Sequence, residues 1–236
     1  MTEPADAPPR RDGRRTSAAA RRRERGREIL AATRVLFDER GTRDAQIEDI
    51  ARAVGINRAI IYRHFSGKEE LFSMVLVGYL DELRAGIDAV VDPSAEPIDQ
   101  VRAMAEAFWD YGYAHPAFAD CAQALMRRTG PELLDEVSED VMLRLGRAIT
   151  GCLGPFAAVL RDGNARGVFD VPDPDLLANM LYAQGLGVLS LARVGLQVRE
   201  GEAGAPEVQM LSGDRLRDYL VDGTVGLVRS ARAVAD

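Results

Sequence analysis

Cysteine and histidine are scarce in this chain. Its 236 residues include two cysteines, Cys121 and Cys152, and two histidines, His64 and His115. Two cysteines match neither a zinc-ligand spacing nor a disulfide framework, so both are expected as reduced, packed thiols of a cytoplasmic protein. With so few histidines, and neither G-x-x-x-x-G-K-[ST] nor G-x-G-x-x-G present, the chain offers no nucleophile–base pair, metal cluster or phosphate loop. No enzyme, no metal and no cofactor is expected. Long apolar runs are also missing. The most apolar stretch, Leu176 to Ala192, is interrupted by Asn179, Gln184 and Ser190 and falls short of the roughly 20 residues of a spanning helix. The charged, proline-containing start has no apolar h-region, so neither a signal peptide nor a membrane contact is expected.

Positive charge is short overall but unevenly placed. The chain holds 30 Lys+Arg against 37 Asp+Glu, a balance that alone argues against a nucleic-acid partner. Residues 1–72, however, carry 16 basic and 12 acidic residues, whereas residues 73–236 carry 14 and 25. One end suits phosphates and the other repels them. Nine arginines lie between Arg10 and Arg27, opposed by Asp12 and Glu24. Residues 1–22 lack the apolar content to fold alone and read as a disordered, arginine-rich tail. It is either a solubilising segment or an arm that follows a DNA backbone. Arg21 to Arg27 are expected to open the first helix.

Spacing then picks out two short helices. Ile47, Ile50, Ala51 and Val54 recur at i, i+3, i+4 and i+7, one face of a helix, while Glu48, Asp49 and Arg52 point away. Gly55 is a helix stop able to adopt the left-handed conformation, and Asn57 is a favoured N-cap for the next helix. Two helices across so short a glycine turn make a helix-turn-helix. In the second, Ile61 and Phe65 share a buried face, leaving Arg58, Ala59, Ile60, Tyr62, Arg63 and His64 wholly or partly outside. Arginine can bridge guanine O6 and N7, an alanine or isoleucine can touch a thymine methyl, and Tyr, His and Lys68 can bond phosphate oxygens.

The string G-I-N-R-A-I-I-Y-R-H-F-S-G-K-E-E-L, with I-E-D-I-A-R-A-V and A-A-T-R-V-L-F-D-E-R-G before it, resembles the amino-terminal domain of TetR-type transcriptional regulators over about residues 23–83. Carried over by position, the resemblance implies a recognition helix at Asn57 through Phe65, phosphate contacts at Tyr62, His64 and Lys68, and sequence readers at Arg58, Ala59, Ile60 and Arg63. Three positions depart from the family pattern. Gln46 replaces a Thr or Ser N-cap, which Asp44 could supply instead; Ile60 stands where Thr is common; and Glu48 stands where a basic or polar residue is frequent.

The remainder reads as helices broken at Asp92-Pro93, His115-Pro116 and Val171-Pro172. The expected segments are 23–40, 47–54, 57–65, 69–91, 97–114, 116–128, 131–162, 173–198 and 213–233, about nine helices in an all-α chain. Residues 84–236 form the larger domain, and 199–213 reads as a flexible loop. The resemblance implies that the last two long helices pair with those of a second copy. Gly185, Gly187, Ser190, Gly195, Gly223 and Gly226 would permit close approach there; the alternative is that these faces close the core of a monomer. Apolar, adaptable side chains between these regions suggest a cavity for a largely apolar small molecule, with Phe108, Trp109, Tyr113, Cys121, Leu125, Met142 and Tyr182 as candidate contacts and Glu106, Asp110 and Arg144 as possible polar ones. The expected function is a ligand-responsive repressor that binds a palindromic double-stranded operator as a homodimer. The alternative is an architectural protein that binds DNA without sequence choice.

Overall fold

The computed structural model describes residues 12–42 and 45–231. Among them ten α-helices follow in order: α1 (Asp12–Arg40), α2 (Ile47–Val54), α3 (Arg58–His64), α4 (Lys68–Val90), α5 (Pro97–Ala114), α6 (Pro116–Met126), α7 (Gly130–Glu136), α8 (Glu139–Ala165), α9 (Pro174–Val194) and α10 (Gly213–Ser230). Strands β1 (Leu196–Glu200) and β2 (Pro206–Met210) form an antiparallel ribbon between α9 and α10. The fold class is all-α, with that ribbon as its one sheet among the described residues.

Three segments differ from the sequence reading. The boundary expected at residue 23 falls inside α1, which already runs from Asp12. The single helix expected over 131–162 is two, because Val137 is extended (φ −124°, ψ 131°) and Ser138 starts a new helix whose first turn holds Glu139 and Asp140. The stretch 199–213, expected as a flexible loop, is mostly the second half of the ribbon. Apolar and polar residues alternate in Leu196-Gln-Val-Arg-Glu and again around Val208, the period of a strand, and Gly204 (φ 78°) supplies the left-handed residue of the connection.

Capping accounts for several helix ends. Asn57 and Asp173 each accept a bond from a first-turn amide, at 2.9 Å in both cases, and Thr129 with Glu132 forms a capping box for α7. Gly55 and Gly195 terminate α2 and α9 in left-handed conformation.

The amino-terminal unit packs α2 and α3 on the second half of α1. Ile29, Leu36 and Phe37 of α1 share one apolar cluster with Ile50 of α2, Ile61 of α3 and Leu71 and Phe72 of α4. In the body, α4 and α8 lie along each other, α5 packs on α10, and α9 covers α8, α5 and α6. By length and composition alone α8 could cross a membrane, in contrast to the expectation that no apolar run is long enough. Here its buried residues, from Val141 to Gly163, face the rest of the body.

Helix α4 joins the two regions. Its 23 residues make a rod roughly 35 Å long at 1.5 Å per residue. Polar contacts bind it to its neighbours at both levels. Arg34 of α1 pairs with both carboxylate oxygens of Glu82 and lies 4.3 Å from the centre of the Tyr79 ring, whose hydroxyl donates to Asp38 at 2.7 Å. Pairing with Arg34 holds the Glu82 carboxyl below its usual range. At the amino end of α4, buried Glu70 accepts from the Ser138 hydroxyl and the Ser66 amide, tying the rod to the start of α8.

Candidate nucleic-acid interface and internal cavity

Helix α3 is held from one side and open on the other. Ile61 is 1% exposed and Phe65 6%, so the pair anchors α3 to α1 and α2 as spacing required. Arg58, Ala59, Tyr62 and Arg63 are exposed, Tyr62 by 53%, while Ile60 and His64 are half-buried. Six of the eight candidate positions therefore lie on α3, with Asn57 as its N-cap and Lys68 beginning the next helix. Lys68 rests its ammonium 5.0 Å from the centre of the Phe72 ring, and the unpaired amides of the first turn of α4 lie beside it.

Two neighbours condition that surface. Arg22 of α1 donates to the carbonyl of Arg63 at 3.1 Å, a guanidinium placed at the negative end of α3. Arg22, Arg23 and Arg27 also line an open groove of about 770 Å³ between α1 and α8, beside His64. Part of the arginine run is thus helical and adjacent to α3. Glu48, one of the three departures from the family pattern, has a partner: its carboxylate accepts from Arg58 at 3.1 Å. Gln46 is the N-cap of α2 without a side-chain bond, and Asp44, the proposed substitute, lies outside the described residues.

Burial against α1, then the charges of Arg22 and Arg25, hold His64 below its ordinary range. The unfolded chain takes up that proton more readily, so this contribution to stability is complete well above about pH 6.5 and is lost as the pH falls through the region between the two pKa values. Denaturant unfolding should show a steeper loss of stability on acidification in the wild type than in His64→Gln. Identical pH slopes would remove His64 from the account.

The body encloses a second feature. A cavity of about 60 Å³ lies between α4, α5, α8, α9 and α10. Leu83, Ile87, Met104, Phe108, Phe156 and Leu181 form much of its wall, and Tyr182, Cys152 and Thr224 bring the polar atoms. Of the seven candidate ligand contacts it takes Phe108 and Tyr182. Trp109 is buried and stacks on Tyr113, ring centres 5.3 Å apart, with Tyr113 at the surface. Cys121 and Leu125 are buried in α6 and Met142 is half-buried on α8, all outside the wall. Spacing along one helix could not decide which apolar residues face a gap shared by five. The polar candidates lie elsewhere too: Arg217 pairs with Glu106 and Asp110, and Arg144 with Asp140.

Gly185 corrects another expectation. Instead of lying on an outer face it is buried in the cavity wall, where a Cβ would meet Cε1 of Phe108 at 2.5 Å. Gly187, Gly223 and Gly226 are exposed. On α10, Leu216, Leu220 and Val228 close the core while Tyr219 is 67% exposed. Both cysteines are free and buried; burial pushes the Cys152 thiol up to about 12, and Cys121 is raised as well, so neither is a ready thiolate.

Comparison with known proteins follows the same division. Residues 29–75 match the family described as bacterial regulatory proteins, tetR family. The transcriptional activator FasR of Mycolicibacterium smegmatis is 34% identical over 98 residues, 42% of this chain and 44% of the relative. The transcriptional repressor KstR2 of Mycobacterium tuberculosis is 36% identical over 77 residues, 33% of this chain and 38% of the relative. The chain thus spans about two fifths of the length of these relatives. Among solved structures, the transcriptional regulator FadR from Bacillus subtilis in complex with stearoyl-CoA superposes with a TM-score of 0.59 at 14% identity, covering 87% of this chain and 98% of the other. At that identity the likeness is one of fold.

Proposed function

We propose that the chain, whose residues 29–75 match the tetR family of bacterial regulatory proteins, is a member of that family and a ligand-responsive transcriptional repressor. As a homodimer it binds a palindromic duplex operator through α3 and leaves it when a largely apolar small molecule enters the body. The observation that carries this reading is the exposed row of Arg58, Ala59, Tyr62 and Arg63 on a helix anchored by Ile61 and Phe65. Arg58, Ala59, Ile60 and Arg63 face base edges; Asn57, Tyr62, His64 and Lys68 serve the backbone and the helix start. The paired carboxylate of Glu48 orients Arg58 rather than opposing the DNA.

A second copy fits the outer row of α9 and α10. Leu176, Met180, Leu191, Val194 and Tyr219 are 41–67% exposed, and with exposed Gly187, Gly223 and Gly226 they make a flat apolar face. A two-fold dimer places two α3 helices for half-sites about one helical turn apart.

The effector reading rests on the cavity, whose wall is apolar apart from Tyr182, Cys152 and Thr224. At about 60 Å³ it is far smaller than the roughly 300–1,000 Å³ of ligand pockets. Entry therefore moves side chains of the wall, Leu83 and Ile87 of α4 among them. Since α4 also carries Lys68 and follows α3 directly, a shift at one end of the rod alters the spacing of the two reading helices. Differential affinity of about 1–3 kcal/mol between the two arrangements releases DNA roughly 5- to 150-fold more readily. FadR from Bacillus subtilis, solved in complex with stearoyl-CoA, offers an example of this fold with a ligand that carries a long acyl chain.

Substitutions at Lys68 and at Arg58 separate backbone contact from base reading. Lys68→Ala should weaken specific and random duplex alike and lower the salt slope by about one unit, with Tyr62→Phe acting in the same direction. Arg58→Ala should relax preference at one base position by about 1–3 kcal/mol. Shift assays in which neither variant alters binding would refute the assignment of α3 to the groove.

A further inference from the structure

The β1–β2 ribbon has two unlike faces. On one, Gln197 donates to Gln209 at 2.8 Å, and Arg199 donates to both carboxylate oxygens of Glu207 at 3.0 and 2.9 Å, so the polar groups satisfy one another across the strands. On the other, Leu196 stands opposite Met210 and Val198 opposite Val208. Those four are 41, 78, 70 and 61% exposed. A two-stranded ribbon is marginal alone in water, and paired apolar side chains on an uncovered strand face form an association surface.

Position and charge indicate what covers it. The ribbon starts at Gly195, the cap of α9, whose carbonyl accepts from the Leu211 amide at 2.9 Å, and the next residue, Ser212, caps α10. It therefore grows from the carboxyl end of α9 and the amino end of α10, the two helices of the proposed dimer face, immediately beyond Val194. Five large side chains on those helices are a narrow stripe, whereas a stable interface takes about 800 Å² and 20–30 residues from each partner; four more apolar residues widen it. Residues 195–211 hold one arginine and three glutamates, which disfavours DNA phosphates and anionic bilayers.

We propose that the Leu196–Val198–Val208–Met210 face packs on a second copy of this chain and extends the α9–α10 interface, each copy giving a ribbon and receiving one. This rests on the dimer reading above. The test uses full-length protein and the double variant Val198→Thr/Val208→Thr, which keeps β-branched strand residues but makes the central pair of the apolar face polar. Sedimentation over a dilution series should give a dimer whose dissociation constant rises about tenfold or more in the variant, the order expected when buried valine surface is lost, with helical circular dichroism unchanged. A wild type that stays monomeric throughout overturns the dimer reading and this inference together. A dimeric wild type with the same constant in the variant overturns the ribbon inference alone. A photocrosslinker at Val208 should link two chains; links within one chain only contradict the proposal, as does binding to neutral phosphatidylcholine vesicles that the variant loses at an unchanged dimer constant.

Discussion

Gly185→Ala is expected to deafen the protein to its effector while sparing its grip on DNA. A methyl group at residue 185 would lie 2.5 Å from Cε1 of Phe108, inside the distance real side chains keep. The ring must turn into a cavity of only about 60 Å³, and the space that a ligand would expand is filled first. Overpacking of this kind costs about 1–3 kcal/mol, and if all of it opposes ligand entry the release midpoint rises roughly 5- to 150-fold. Stability should change less, because alanine regains about 1 kcal/mol of helix propensity in the middle of α9. The measurement is effector-induced release from operator, followed by fluorescence anisotropy, alongside a thermal melt. Unchanged release in a folded variant would place the effector elsewhere.

Ile61→Ala should have the opposite profile. Ile61 is 1% exposed and sits in the cluster that joins α1, α2, α3 and α4. Truncation leaves a hole worth about 2–5 kcal/mol, concentrated in the amino-terminal unit. Operator affinity should collapse, whereas the body, with its own buried residues from Leu83 to Val228, keeps its helices and its ligand. Ile61→Val should lose only about 0.5–1.5 kcal/mol and retain measurable binding. Denaturation followed by DNA binding and by ligand binding in parallel separates the two regions. An alanine variant that binds operator as well as the wild type would mean that the anchoring of α3 does not govern its reading.

What could be seen in the sequence follows from the range of the interactions involved. Helices α2 and α3, with Gly55 and Asn57 between them, are set by contacts a few residues apart: an apolar stripe, a left-handed stop and a side-chain cap. Those features were legible, and so were the breaks before Pro93, Pro116 and Pro172. The break between α7 and α8 was also written locally, in Ser138 followed by Glu139 and Asp140, but the apolar pattern on both sides invited one long helix. The ribbon was obscured by Gly201, Gly204 and Pro206, which read as a loop although Leu196, Val198, Val208 and Met210 alternate as strand residues do.

The cavity was the least legible part, for a different reason. Phe108 and Trp109 are neighbours on α5, yet Phe108 faces the gap and Trp109 does not, because the gap is defined by five helices at once. Nothing along α5 alone distinguishes them. Gly185 shows the same limit: a glycine in a helix signals close approach, but whether to a second copy or to Phe108 of its own chain depends on packing. The pairing of Glu48 with Arg58 likewise crosses from one helix to the next, so the partner of this departure from the family pattern could not be read from α2 alone.

The most direct measurement is the affinity of the protein for a sequence selected from random duplex DNA, compared with random duplex of the same length at the same salt. If α3 reads base edges, the selected sequence is a palindrome with half-sites about 10 base pairs apart, bound at least about 10³-fold more tightly. Equal affinity for the two duplexes would contradict the account and leave a protein that holds DNA by charge alone.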